Sequence, residues 1–224
     1  MPLLGCARFA DRIMLAREPV CDGERGISKD AMGRQLDYYF SMVSPWAYIG
    51  HALVCDLAKQ YDCKVSYKPV FLGELFAETG GLPLAKRHPA RQRYRMMELQ
   101  RWREKRGLNF HLKPKHWPAD PKLADCVVLA AIEAKLDPEP FMRAAFKSIW
   151  EEQRDIADVA TVKELADKSG LPGDKLIARA GTPEIAAAYG QNRQEAIAAD
   201  VFGSPGYVLD GEVFWGLDRI ELLP

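Results

Sequence analysis

The stretch 36-LDYYFSMVSPWAYIG-50 turns from strand to helix within a few residues. Residues 36–43 are rich in aromatic and β-branched side chains and read as a strand. Ser44-Pro45 then opens a helix, because serine is a favoured N-cap and the fixed φ of proline suits the first helical position. Ile49, Leu53, Val54 and Leu57 follow at helical spacing and give this helix a stripe to bury. Residues 64–71, KVSYKPVF, read as a second strand, and Pro69 either places it at a sheet edge or takes it out of the sheet. A strand–helix–strand unit of this length implies parallel pairing with a right-handed crossover.

Beyond it the chain changes character. Residues 89–106 predict a very basic helix carrying Arg91, Arg93, Arg95, Arg101, Arg103 and Arg106. Residues 122–136, 139–152, 159–169 and 183–199 also read as helices, with a shorter segment near 173–180. Thr182-Pro183-Glu184 is a helix-start signature. Residues 206–215, GYVLDGEVFW, hold two short strands around Asp210-Gly211, a pair that favours a type I′ turn, and 217–223 begin a last helix. The order βαβ, helices, ββ, helix is that of an α/β, thioredoxin-like fold (βαβ–ββα) with a large all-helical insertion. The expected division is a thioredoxin-like domain from 36–75 and 190–224, and a helical insertion domain over 76–189. Residues 1–35 are expected to be an N-terminal extension without periodicity, of the kind that stays disordered. Met32 stands just before the first strand, so residues 1–31 are read as the product of an upstream start codon. N-terminal mass spectrometry of the native protein tests that; a peptide from 1–31 refutes it.

Lys+Arg and Asp+Glu both total 31 in 224 residues, a balance that points away from nucleic acid and anionic membranes. No apolar run approaches the roughly 20 residues of a spanning helix, and charges break the N-terminus too early for a signal peptide. The expected location is therefore cytoplasmic. Cys6, Cys21, Cys55, Cys63 and Cys126 contain no C-x-x-C and read as reduced thiols, with Cys55 and Cys126 as core residues. None of His51, His88, His111 and His116 falls in a metal-ligand spacing, so no metal site is expected.

Three short motifs carry chemistry. Ser44-Pro45-Trp46-Ala47 sits where a redox relative would place C-x-x-C at a helix N-terminus, whose free N–H groups and partial positive charge stabilise a thiolate. Here no dithiol can form, but the Ser44 hydroxyl can donate to an incoming sulfur. The plainer reading is that Ser44 only caps the helix. Phe202-Gly203-Ser204-Pro205-Gly206 suggests a cis Pro205 opposite that helix, leaving the backbone of Ser204 free to pair with a peptide such as glutathione; the plainer reading is a turn proline. Asp218, in Phe214-Trp215-Gly216-Leu217-Asp218-Arg219, is a candidate partner for a substrate ammonium, or else a helix cap.

The chain resembles the 2-hydroxychromene-2-carboxylate isomerase family, a relative of kappa-class glutathione transferases and, more distantly, of DsbA-type oxidoreductases. The resemblance rests on Asp37-Tyr38-Tyr39-Phe40 leading to Ser44-Pro45, on Pro69-Val70-Phe71-Leu72-Gly73 and on Arg101-Trp102. It continues through Ile149-Trp150, Asp155-Ile156, Val201-Phe202-Gly203-Ser204-Pro205 and the 214–219 motif. It implies a glutathione-dependent isomerase of aromatic pyruvate-like acids, commonly a homodimer. By the same resemblance Ser44 meets the glutathione sulfur, Ser204 beside Pro205 pairs with its backbone, and Leu217 and Asp218 hold its γ-glutamyl end. Arg91 falls where kappa-class relatives place a basic glutathione contact. Trp46, Tyr94, Arg101, His116 and Trp117 are the candidates for the acid substrate. Gly81 stands where the family often has Asn, and Leu217 where it often has a polar residue. Competing expectations are a kappa-like transferase, a DsbA-like oxidoreductase weakened by the absent dithiol, and a non-catalytic binding protein.

Overall fold

The computed structural model describes residues 33–223. The expectations for the N-terminal extension and for Met32 as a start lie outside those residues, except that Gln35 already belongs to the first strand.

The first strand, β1 (Gln35–Phe40), is followed by helix α1 (Pro45–Gln60) and strand β2 (Lys64–Pro69). A hairpin of β3 (Gly206–Leu209) and β4 (Glu212–Trp215) completes a four-stranded sheet of order β2-β1-β3-β4. β1 pairs parallel with β2, and antiparallel with β3, which pairs antiparallel with β4. β2 is an edge strand that ends at Pro69, as a residue with no N–H to donate requires. Asp210 and Gly211 both take positive φ, 51° and 83°, the conformation of a type I′ turn.

Alternation along β1 divides the core. Leu36, Tyr38 and Phe40 face α1 and the helical layer, while Tyr39 faces the opposite side with Val70, Leu75, Ala196 and Val201. Between β2 and β3 lie α2 (Leu72–Thr79), α3 (Pro89–Lys105), α4 (Lys122–Glu133), α5 (Glu139–Trp150), α6 (Val159–Lys168), α7 (Gly173–Ala180) and α8 (Pro183–Ala198). α2, absent from the sequence expectations, is a short helix, and the expected boundary at 75/76 cuts through it. The boundary at 189/190 cuts through α8, whose C-terminal part covers the second face of the sheet. One hydrophobic cluster joins β1, α1, α4 and α5, so helical layer and sheet share a core. The final segment, Leu217–Leu222, is a 3-10 helix instead of an α-helix.

An aspartate and a histidine are buried in this core. Asp125 of α4 is fully buried, accepts a 2.7 Å hydrogen bond from the Tyr189 hydroxyl of α8, and is pushed up to about 8 by burial. His51 of α1 is also buried, and loss of hydration pulls it down to about 3, so its imidazole is neutral. Among the described residues no helix is long and apolar enough to cross a membrane.

Candidate functional site

Ser44 occupies the N-cap of α1 in extended backbone conformation, with Pro45 at the first helical position. Its Oγ accepts from the Ala47 N–H at 3.2 Å and donates to the Ser204 carbonyl at 3.0 Å. The Ser204 hydroxyl in turn accepts from the Ser41 N–H at 3.0 Å, and the Ser44 N–H donates to the Ser41 carbonyl at 2.9 Å. Two of these hydrogen bonds lock the loop before α1 against Ser204, and two order the loop itself; the Ser204-Pro205 peptide is cis, as expected. The carbonyl of Ser204 is therefore not free, contrary to the expectation that both its backbone groups would be. The bond from Ser44 takes one of its two lone pairs. The Ser204 N–H has no partner among the described residues.

A cleft opens over this junction. Three adjoining cavities share Trp46 and Arg87 in their walls; the one reaching Ser204 and the Trp215–Arg219 segment has a volume of about 330 Å³, at the small end of the range of small-molecule sites. The second, nearer Ser44, is lined by Leu72, Phe76, Leu84, Arg95 and Trp117. Gly216 turns the chain into this wall at φ 103°, a conformation that favours glycine. Asp218 is exposed there and its carboxylate accepts from Arg219 at 2.7 Å. Leu217 instead points into the core: a Cβ on Gly50 would lie 3.2 Å from the Leu217 Cβ, and this close packing against α1 is why the position is apolar here.

α3 forms a cationic wall. Arg87, just before it, and Arg91 and Arg95 on it line the cleft, and none has a carboxylate within salt-bridge distance among the described residues. Arg95 is partly buried, its guanidinium 5.2 Å from the centre of the Trp117 ring, and burial followed by the like charge of Arg87 pulls it down to about 10. Such an uncompensated, desolvated cation is costly unless an anion arrives to pair with it.

Of the residues expected at the site, Ser44, Ser204, Trp46, Arg91, Tyr94, Trp117, Leu217 and Asp218 line these cavities, with Pro205 beneath them. Trp117 also anchors the loop before α1, donating from Nε1 to the Val43 carbonyl at 3.0 Å. Arg101 and His116 are not brought in. Arg101 is exposed and paired with Glu98 at 2.5 Å, and His116 lies 3.8 Å from Asp155. One turn of helix separates Arg101 from the cleft-facing stripe of Arg91, Tyr94, Arg95 and Glu98. Arg87 and Arg95 were missed. The i, i+4, i+8 spacing of 87, 91 and 95 was the available signal, diluted by the other arginines around it. Gly81 lacks a side chain for a steric reason, since a Cβ there would lie 2.4 Å from the Phe76 ring.

Comparison with known proteins agrees with this architecture. A family model described as a DSBA-like thioredoxin domain matches residues 35–224. The 2-hydroxychromene-2-carboxylate isomerase of Sphingobium xenophagum is 29% identical over 86% of this chain and 97% of its own length. Human glutathione S-transferase kappa 1 is 22% identical over 85% of this chain and 89% of its own. The structure of a 2-hydroxychromene-2-carboxylate isomerase superposes with a TM-score of 0.70 at 21% identity, covering 84% of this chain and 92% of that one. These relatives bear out the family resemblance of the motifs, and the chain belongs to the DSBA-like thioredoxin family.

Proposed function

We propose that the protein is a glutathione-dependent cis–trans isomerase of the 2-hydroxychromene-2-carboxylate type, acting on aromatic pyruvate-like acids. The observation that carries the reading is the Ser44 hydroxyl at the N-terminus of α1, bonded to the carbonyl before cis-Pro205 beside a cleft whose wall holds unpaired arginines. The site residues fit glutathione. The partnerless Ser204 N–H offers strand-like pairing to a peptide backbone, and Asp218 and Arg91 offer charges for its two ends. Bound there, glutathione would supply a thiolate for reversible addition to a conjugated double bond, which turns single, rotates and re-forms.

This chain's own residues make that possible in three ways. Ser44 exchanges its bond to the Ser204 carbonyl for a charge-assisted bond to sulfur, a gain because bonds to charged groups contribute about 1.5–3 kcal/mol against about 0.5–1.5 for neutral ones. The α1 N-terminus adds favourable electrostatics for an anion, worth about 0.3–1 kcal/mol or more where water is excluded. Arg87 and Arg95 hold the carboxylate of the acid and the negative charge that develops on its enolate oxygen, while Trp46 and Trp117 flank its ring. The free thiols of Cys55, Cys63 and Cys126 fit the reducing cytoplasm.

The test is calorimetric titration of glutathione into wild type and Ser44→Ala, with an isomerisation assay on a hydroxychromene carboxylate. Binding with turnover, and turnover lost in Ser44→Ala, supports the reading. No glutathione binding refutes it together with the transferase alternative, and binding without isomerisation favours the transferase.

A further inference from the structure

The expectation that no metal site exists rested on the spacing of histidines and cysteines along the sequence. Packing brings His51 and Cys55, one turn apart on α1, against Glu139 in the first turn of α5. His51 Nε2 lies 3.9 Å from Cys55 Sγ and 3.7 Å from Glu139 Oε1, and the three groups offer ligand atoms within 4.8 Å of one another. A triangle with such edges has a point no more than about 2.5 Å from every corner, close to the ~2.0–2.3 Å of zinc–nitrogen, zinc–oxygen and zinc–sulfur bonds.

We propose that His51, Cys55 and Glu139 form a binding site for a thiophilic divalent cation of the zinc class, clamping α1 to α5. Imidazole, thiolate and carboxylate are the protein donors zinc takes, whereas a sulfur donor argues against magnesium or calcium, which prefer oxygen. The Tyr67 hydroxyl lies 3.6 Å from Cys55 Sγ, leaving a fourth position to it or to water. Binding releases the thiol proton to solvent, so two positive charges meet one thiolate and one carboxylate. Arg143 opposes the cation by its charge and donates from both Nε, at 2.9 Å, and Nη2 to Glu139 Oε1, the oxygen that faces His51, so a cation competes with Arg143 for that oxygen or draws on the other. The carboxylate still keeps its second oxygen, and ligating carboxylates ordinarily carry such an outer partner. The Glu139 side chain is 14% exposed, so the cluster reaches solvent on that side. α1 begins at the Ser44 cap, so a cation here fixes the helix that carries the cleft without touching the cleft itself. The site is independent of the isomerase reading.

The experiment is titration of the reduced full-length chain with Co²⁺, followed by thiolate-to-cobalt absorption, by competition with Zn²⁺ and by thermal melts with and without Zn²⁺. One equivalent is expected, with the absorption lost in Cys55→Ala and the affinity at least tenfold weaker in Glu139→Gln. Zn²⁺ should raise the melting midpoint of wild type and not of Cys55→Ala. The absence of a thiolate–cobalt band in wild type at millimolar Co²⁺ overturns the proposal. So does a band that survives Glu139→Gln at full affinity, a result that decides the matter even if Cys55→Ala fails to fold.

Discussion

Replacing Arg95 by Met should move stability and activity in opposite directions. The guanidinium is partly buried, has no carboxylate partner among the described residues, and is pulled down from the usual arginine value to about 10. At about 1.4 kcal/mol per pH unit that displacement corresponds to an unfavourable free energy on the order of 3 kcal/mol. The contact with the Trp117 ring returns about 0.5–2 kcal/mol, and methionine preserves the packing of the aliphatic stem. The free protein should therefore gain about 1 kcal/mol, raising its melting temperature by roughly 2–4 °C. The acid substrate, in contrast, loses a charge-assisted hydrogen bond of about 1.5–3 kcal/mol, so kcat/KM should fall roughly 10- to 150-fold. Thermal melts without ligand and initial rates at saturating glutathione measure the two effects separately. A lower melting temperature with unchanged kcat/KM would mean that Arg95 serves packing on Trp117 and not an anion, and the argument from its unpaired charge would fail.

Other outcomes follow from the same geometry. Ser44→Ala removes the cap of α1 and the bond to the Ser204 carbonyl; it should cost about 0.5–2 kcal/mol by denaturant unfolding and lower kcat about 100-fold. The carboxyl of Asp125 keeps its proton in the folded state up to about 8, whereas the unfolded chain releases it near 3.8. Stability contributed by that proton is complete below 3.8 and declines as pH rises through that window, by at most about 1.4 kcal/mol per unit. Asp125→Asn should flatten this slope in unfolding measured from pH 4 to 9; an unchanged slope would place the pH dependence elsewhere. In Gly216→Ala, the new Cβ would lie 2.6 Å from Asp218 Oδ1 at φ 103°, straining the backbone by about 1–3 kcal/mol and displacing the carboxylate. Calorimetry should then find weaker glutathione binding, and unaltered affinity would separate Asp218 from the ligand.

The parts of the molecule legible in the sequence are those that local rules dictate. Ser44-Pro45 announced the start of α1 because an N-cap hydroxyl and a fixed φ act within one turn. Asp210-Gly211 announced the hairpin because only residues tolerant of positive φ close a type I′ turn. Pro69 announced the sheet edge because a missing N–H cannot be hidden inside a ladder. The short α2 escaped notice because its eight residues make only about two turns before Gly80, although Leu72, Leu75 and Phe76 stand at helical spacing. The last helix, six residues entered through Gly216 at φ 103°, is 3-10, a distinction that no residue pattern in 217–223 announced.

What tertiary structure alone decided is which side chains meet. The arginine-rich helix held too many candidates for sequence to rank. Only the placement of α3 beside Trp46 and Trp117 turned Arg87 and Arg95 toward the cleft and left Arg101 on the surface with Glu98. The carbonyl of Ser204 was expected to be free and is held by Ser44, 160 positions earlier in the chain. Likewise, Glu139 reaches His51 and Cys55 because α5 packs on α1, a contact between segments more than 80 residues apart that no spacing rule could register. Sequence fixes the conformational preference of each segment through interactions within a turn or two. Which groups of distant segments share a dielectric environment, and so which charges go unpaired, is set by packing.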